Sequence, residues 1–296
     1  ALITKLYLNA EVFNGTAEWN KVIEHADNII NSGLYNLEPD FFANFSQSNE
    51  GSTENIFVIV YDPVFSGGMQ IGVRTLHYGH QAGWEFANQP WNGFASLQEF
   101  YDKFDDTDPR KESFVAGPQF GFDGSEVIDD TPGAGDDTPQ VIFSTSIRAL
   151  DDARREDGVR IGKFELFVRG ADPANGNNDF PIFRLGDIIL SKAEAQMRLG
   201  QNADALMLVN MIRQRAGMPD LTSLTLDELL DERAREVAFE GYRRQDLIRF
   251  GKFQDAWEFK PAGSSDHTNL FPISETQLNA NSNLQQNPGY PGRGGG

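Results

Sequence analysis

The sequence predicts a mostly α fold, with tetratricopeptide-like helical hairpins and a long loop-rich insertion carrying a few short strands. Three observations lead there. Apolar residues recur at helical spacing in two glycine-punctuated pairs of segments, 1–33 and 184–217. A third helical block opens on a capping box at Thr225. Residues 61–183 instead break into short apolar strips between clusters of glycine, proline, aspartate and asparagine.

The elements follow in chain order. Ile3, Leu6, Ala10 and Phe13 share a helical face, and Asn14-Gly15 supplies the stop. A second helix begins near Thr16, sets Trp19, Val22, Ile23, Ala26 and Ile30 on one side, and ends at Ser32-Gly33. A strand is expected before residue 60, and "VIFST" at 141–145 and "KFELFV" at 163–168 read as further short strands. Leu185, Ile189 and Ala193 lead to a break at Gly200; Asn202 is expected to cap a helix carrying Ala205, Leu208, Val209 and Ile212, which closes at Gly217. Ala10 in the first pair, and Ala193 and Ala195 in the second, are small enough for helices to meet closely, as in tetratricopeptide units. The two copies are too far apart in sequence to form a regular array. Thr225 and Glu228 form the capping box of a helix expected to run to Glu240, with a break at Gly241. The resulting division is one domain over 1–296: a helical hairpin and strand (1–60), a loop-rich candidate ligand-binding region (61–183), a helical scaffold (184–260) and a C-terminal loop segment and tail (261–296), whose last residues, "GRGGG", are expected to be disordered.

Composition narrows the function. Across 296 residues, 44 Asp and Glu face 25 Lys and Arg, and the net charge of −19 repels nucleic acid and anionic membrane surfaces. With no cysteine, disulfides, thiolate zinc sites and thiol catalysis are all excluded. No run of about 18 apolar residues is present to span a bilayer. The first residues already lie inside an amphipathic pattern, as in a piece cut from a longer chain.

The stretch "EVAFEGYRRQDLIRFGKF" at 236–253 mixes Glu236, Glu240 and Asp246 with Arg243, Arg244, Arg249 and Lys252. Helical spacing makes Glu240 a neighbour of Arg243 and Arg244, and Asp246 a neighbour of Arg243 and Arg249. A glycoside hydrolase could use Glu236 and Glu240, since such enzymes need two carboxyl groups roughly 5 to 9 Å apart. Surrounding arginines, however, hold carboxylates ionised rather than raising the pKa of an acid, so a structural ion-pair network is the stronger reading. His77 and His80 lack a third ligand at metal-binding spacing, and no nucleotide, hydrolase or cofactor motif appears. Residues 122–140 carry Asp123, Glu126, Asp129, Asp130, Asp136 and Asp137, oxygen ligands suited to calcium but without EF-hand spacing; a solvated acidic loop fits them better.

A ligand site is expected at 61–94, where glycine-rich loops gather Tyr61, Phe65, Tyr78, Trp84, Phe86, Trp91 and Phe94. A sugar ring offers an apolar C–H face and a rim of hydroxyls, which suits flat aromatics beside polar side chains. Trp84, Trp91, Tyr78 and Phe94 are the candidate platforms, and Asn88, Asn92 and Arg74, with Gln81 and Gln89 nearby, are the candidate polar contacts.

Several ordered motifs then carry a resemblance. "FRLGDIILSKAEAQMRLG" (183–200), "VNMIRQRAG" (209–217), "LLDERAREVAFEGYRRQDLIRFGKF" (229–253) and "FPISETQLNANSNLQQNPGY" (271–290), preceded by "INSGLYNL" (30–37) and "ENIFVIVYD" (54–62), resemble the SusD/RagB family of outer-membrane glycan-binding proteins from Bacteroidetes. The resemblance extends over nearly the whole chain. It implies tetratricopeptide-like hairpins, no enzymatic activity, nutrient uptake in polysaccharide utilisation, and a lipoprotein life on the outer surface, with a lipid anchor outside this chain. It also implies a partner, a SusC-like TonB-dependent transporter over which the protein sits as a lid. Glu232, Arg233, Glu236, Glu240, Arg243, Asp246 and Arg249 are then scaffold residues tying helices together. A helical-repeat scaffold gripping a protein in the groove of its hairpins is the alternative from another class.

Overall fold

In the computed structural model, residues 1–62, 64–130, 139–261 and 263–294 are described. They form two compact units, Ala1–Arg243 and Arg244–Gly296. In the first unit the opening apolar pattern folds as two short helices, α1 (Leu2–Leu8) and α2 (Ala10–Asn14), rather than one, with the break at Asn9. Gly15 then turns the chain at φ 78° into α3 (Trp19–Ile30). Leu8 and Val22 are fully buried together with Ala195 of the second hairpin, the close approach that small residue allows.

That second hairpin is α7 (Leu185–Arg198) and α8 (Asn202–Arg215), turning at Gly200 (φ 78°) and closing at Gly217 (φ 72°). Leu185, Ile189, Leu190 and Ala193 of α7 bury against Ala205, Val209 and Ile212 of α8 and Leu229 of α9 (Leu226–Glu236). Asn202 does not cap α8: it is the first helical residue, and Gln201 at the cap makes no side-chain bond. The capping box at α9 is present, with Thr225 N–H donating to Glu228 at 2.6 Å and Glu228 N–H donating to Thr225 Oγ1 at 3.2 Å. The helix stops at Glu236, short of Glu240, and the chain turns through left-handed Phe239 (φ 61°) and Gly241 (φ 85°).

Between the hairpins, among the described residues, the backbone makes small pieces: the helices α4 (Ile71–Thr75), α5 (His80–Trp84) and α6 (Gln98–Tyr101), and three antiparallel strand pairs. β1 (Asn55–Ile59) pairs with β6 (Phe180–Arg184), β2 (Phe114–Val115) with β5 (Arg160–Ile161), and β3 (Gly117–Pro118) with β4 (Ile142–Phe143). "KFELFV" is not a strand. Its alternation instead sends Phe164 and Leu166 into a core with Phe41, Phe45, Met69, Leu76 and Phe86, so burial without sheet pairing produced the pattern.

The charges of the third helical block face inward. Arg184, at the end of β6, donates to Glu54 (2.6 Å), Glu236 (2.7 Å) and Glu240 (2.8 Å), and every one of these side chains is buried. Arg110 reaches Asp108, Glu232 and Glu236, Arg215 reaches Glu54 and Glu236, and Lys163 reaches Glu240 at 2.5 Å. Arg233 and Lys5 share Asp187 at 2.9 Å each. The expected partners of Glu240, Arg243 and Arg244, are replaced by Lys163 and Arg184 because the helix ends before it. Arg243 lies 3.8 Å from Asp231, both part exposed.

The second unit holds most of α10 (Arg243–Arg249) and α11 (Glu275–Ala280), the latter within a segment expected to be loop. Asp246 and Arg249 pair at 2.7 Å, three residues apart as expected. Arg244 lies over the rings of Phe271 (4.1 Å) and Phe253 (5.0 Å) and donates to the carbonyls of Thr268 and Asn269. Of the terminal run expected to be disordered, Arg293 accepts from Gln286 N–H at 2.6 Å, and Gly295 and Gly296 lie outside the described residues.

Candidate functional site

The loop after α5 returns to α4 and takes up carbonyls at that helix's end. A helix leaves its last four carbonyls without an intrahelical partner. Here Trp91 N–H donates to Val73 (2.6 Å), Asn92 N–H to Leu76 (3.0 Å), and the N–H groups of Gly93 and Phe94 both to Arg74 (2.7 and 2.8 Å). The strip 91–94 is thereby pinned across Arg74, whose guanidinium lies 5.2 Å from the centre of the Trp91 ring and 5.9 Å from that of Phe94. Both rings stay open to solvent, Trp91 at 53% and Phe94 at 48% exposure.

Beside this face lies a cleft of about 500 Å³ lined by Tyr78, Gln81, Gln89, Glu126, Asp129, Asp130 and Arg155, among others. Gly79 lets its far wall close in, since a Cβ there would lie 2.3 Å from the Ile128 carbonyl oxygen. Arg155 donates to both oxygens of Asp129 (3.2 and 3.0 Å) and covers the Tyr78 ring at 5.5 Å. Beneath Tyr78 sit two buried histidines. Burial lowers the pKa of His77 against the opposing pull of Asp129, 3.4 Å away, and burial pushes that of His80 down to about 4.

The candidate residues therefore separate. Tyr78 lines the cleft, Trp91, Phe94 and Arg74 form the open face, and Asn88 is exposed on the loop between them. Trp84 is an anchor instead of a platform: its indole N–H donates to the Phe120 carbonyl at 2.9 Å, and its ring packs on Phe167 and Phe86. Asn92 departs from the expected role of polar ligand contact. It takes a left-handed backbone (φ 52°), its amide nitrogen donates to the Arg155 carbonyl (2.7 Å), and its amide oxygen accepts twice from Arg160 (3.2 and 3.0 Å). Asn92 thus ties the platform strip to the cleft wall. Arg155 escaped sequence reasoning because it lies in the charged run 151–157, whose only signal was solvation.

The other constellations resolve physically. Asp123 accepts from Ser125 N–H (2.9 Å) and Oγ (2.6 Å), an acidic side chain closing its own turn. Among the described residues no three His, Asp or Glu side chains are grouped to hold a metal ion; Asp136 and Asp137 lie outside them. The hydrolase reading of Glu236 and Glu240 fails. Burial alone would raise the Glu236 carboxyl, but Arg215, Arg184 and Arg110 outweigh it and hold the pKa well below the carboxylate range. Both carboxylates close an ion network instead of lining a cleft, so neither is positioned to protonate a leaving group.

Comparisons with known proteins place this geometry in context. The chain is 30% identical to the starch-binding protein SusD of Bacteroides thetaiotaomicron, over 98% of this chain and 59% of that protein. It is 31% identical to the SusD-like protein P38 of Formosa agariphila over 46% of this chain and 29% of that one. Among solved structures, a SusD superfamily protein from Parabacteroides distasonis superposes with a TM-score of 0.74 at 21% identity, covering 98% of this chain and 62% of that one. Surface glycan-binding protein A from Bacteroides thetaiotaomicron, in complex with laminarihexaose, gives 0.69 at 24% identity, covering 96% and 62%. The chain spans about three-fifths of the length of SusD and of these two structures. The SusD family model matches residues 13–290, and the chain belongs to the SusD family.

Proposed function

We propose that this chain binds a glycan or oligosaccharide without transforming it, at the outer-membrane surface, and hands it to a SusC-like TonB-dependent transporter. The observation that carries the reading is the open Trp91–Phe94 face beside a polar cleft, in a chain of this family. Stacking on an aromatic face supplies affinity, and the amides and carboxylates of the cleft supply acceptors and donors for sugar hydroxyls. The starch-binding and laminarihexaose-bound relatives support the same ligand class. The family supports surface display and the transporter partner.

A panel of soluble polysaccharides and oligosaccharides, starch and laminarihexaose among them, tests binding by affinity electrophoresis and calorimetry. Binding to at least one member without release of reducing ends is the expected outcome. Folded protein that binds none of them, or that shortens the chain it binds, overturns the reading.

A further inference from the structure

Several surface cations in this acidic chain are neutralised by a carboxylate: Lys21 by Glu18, Lys103 by Asp231, Lys111 by Asp106, Arg169 by Glu85. Arg74 is not. Among the described residues its guanidinium makes one hydrogen bond, Nη2 to the uncharged Gln70 Oε1 at 3.0 Å, and no carboxylate pairs with it. Arginine carries five N–H donors in a rigid planar fork, so most of this fork remains available. The contrast with Arg155 is direct, because there a similar arginine–aromatic contact is closed off by Asp129 on both carboxylate oxygens.

We infer that Arg74, held between the open Trp91 and Phe94 rings, is a subsite for an anionic substituent on the glycan, the carboxylate of a uronic acid or a sulfate ester. The inference rests on the glycan-binding reading above and names the ligand class for that site. A planar guanidinium pairs with either anion through two parallel bonds, a geometry that a sugar hydroxyl does not satisfy. The two ring centres lie 5.2 and 5.9 Å from the guanidinium, so an anion paired with it sits beside both rings. The acids nearby limit the density of charge on the ligand. Glu126 and Asp130 are exposed along the adjoining cleft, so a polymer charged at every sugar meets repulsion there, whereas an acidic sugar flanked by neutral ones does not. At physiological salt the screening length of about 8 Å keeps the remaining negative charge of the chain from deciding the outcome.

The test compares glucuronoxylan oligosaccharides with their carboxyl-reduced forms, and a sulfated galactan with its desulfated form, on wild type, Arg74→Gln and Trp91→Ala, with starch and laminarihexaose as neutral controls. Thermal melts establish that each variant is folded. The expected result is that wild type binds the charged member of one pair at least tenfold more tightly than its neutral counterpart, and that Arg74→Gln binds the two members alike. The pair that responds distinguishes carboxylate from sulfate. Equal binding within both pairs, or neutral binding alone with Arg74→Gln indistinguishable from wild type, overturns the anionic subsite while leaving glycan binding intact. Absence of binding to every probe overturns the glycan reading and this inference with it.

Discussion

Arg184 and Glu236, 52 residues apart in sequence, meet at 2.7 Å with neither side chain exposed. Each charge taken out of water costs several kcal/mol unless partners and hydrogen bonds surround it. Here Glu54, Glu240, Arg215 and Arg110 supply them, and the pKa values of the two partners move oppositely, Arg184 well above its ordinary value and Glu236 well below. The network joins the end of β6, the start of α7, the end of α9 and the segment before β1. Its charges are therefore the ties between elements.

Removing one member leaves the others buried and uncompensated. Arg184→Ala is expected to destabilise the fold by about 3 to 5 kcal/mol, whereas Arg243→Ala, whose partner Asp231 is 3.8 Å away at the surface, is expected to cost under about 1 kcal/mol. Urea unfolding compares the two. Equal losses would mean that the network is not the source of the difference.

Gly186 follows from the same geometry. A Cβ at this position would lie 2.7 Å from Glu236 Oε1 and 2.8 Å from both Arg184 Nη1 and Glu54 Oε1. Gly186→Ala must push apart charges that have no solvent to move into, and the cost expected from overpacking is about 1 to 3 kcal/mol. Helix propensity alone would make the same substitution stabilising by about 1 kcal/mol. The sign of the change in urea midpoint therefore decides between them.

The helices were legible because periodicity and glycine stops are local: Leu185 to Ala193, Gly200 and Gly217 all read correctly. The family motifs named the charged residues of the scaffold but not their partners, since Arg110 meets Glu236 across 126 residues and Arg184 meets Glu54 across 130. Local spacing pointed Glu240 at Arg243, and the turn at Gly241 removed that option. In the candidate loop, sequence proximity could not say which face each ring takes. The Trp84 indole is bonded to the Phe120 carbonyl whereas the Trp91 backbone is pinned to Val73 and its ring left open, and Asn92 looked like a ligand contact until its amide met Arg155 and Arg160.

Trp84 and Trp91 should accordingly behave as opposites. Trp91→Ala removes an open ring and is expected to weaken glycan binding by about 1 to 3 kcal/mol, on the scale of bases stacked on aromatic platforms, with little change in melting temperature. Trp84→Ala removes a packed ring and its bond to Phe120, with an expected stability loss of about 3 to 5 kcal/mol. Calorimetric titration and thermal melts on both variants separate the roles. Unchanged binding in Trp91→Ala would move the platform elsewhere.

His80 couples the cleft to pH. It is fully buried, with Nδ1 accepting the His77 N–H at 3.1 Å, Nε2 3.3 Å from Gln119 Oε1, and its ring stacked 5.9 Å from Phe143. Burial, reinforced by the nearby His77 and Arg160, holds its pKa at about 4 in the fold against an ordinary 6.5, while the bonds to Gln119 and the His77 carbonyl oppose the shift. Between those two values the unfolded chain binds a proton that the folded chain refuses, so stability rises with pH across the window, is complete above 6.5 and is lost as pH falls toward 4. Over the full interval the loss is about 3 kcal/mol. His80→Gln keeps a polar group but not the titration. Urea unfolding at pH 7.5 and 4.5 is therefore expected to show wild type losing about 2 to 3 kcal/mol more than the variant, the carboxylates common to both cancelling in the difference. Equal losses would mean that His80 gains its proton in the fold as readily as in the unfolded chain. Because Tyr78 is held on the turn between His77 and His80, acidification should also loosen the cleft, and glycan affinity measured at pH 5 should fall more in wild type than in His80→Gln.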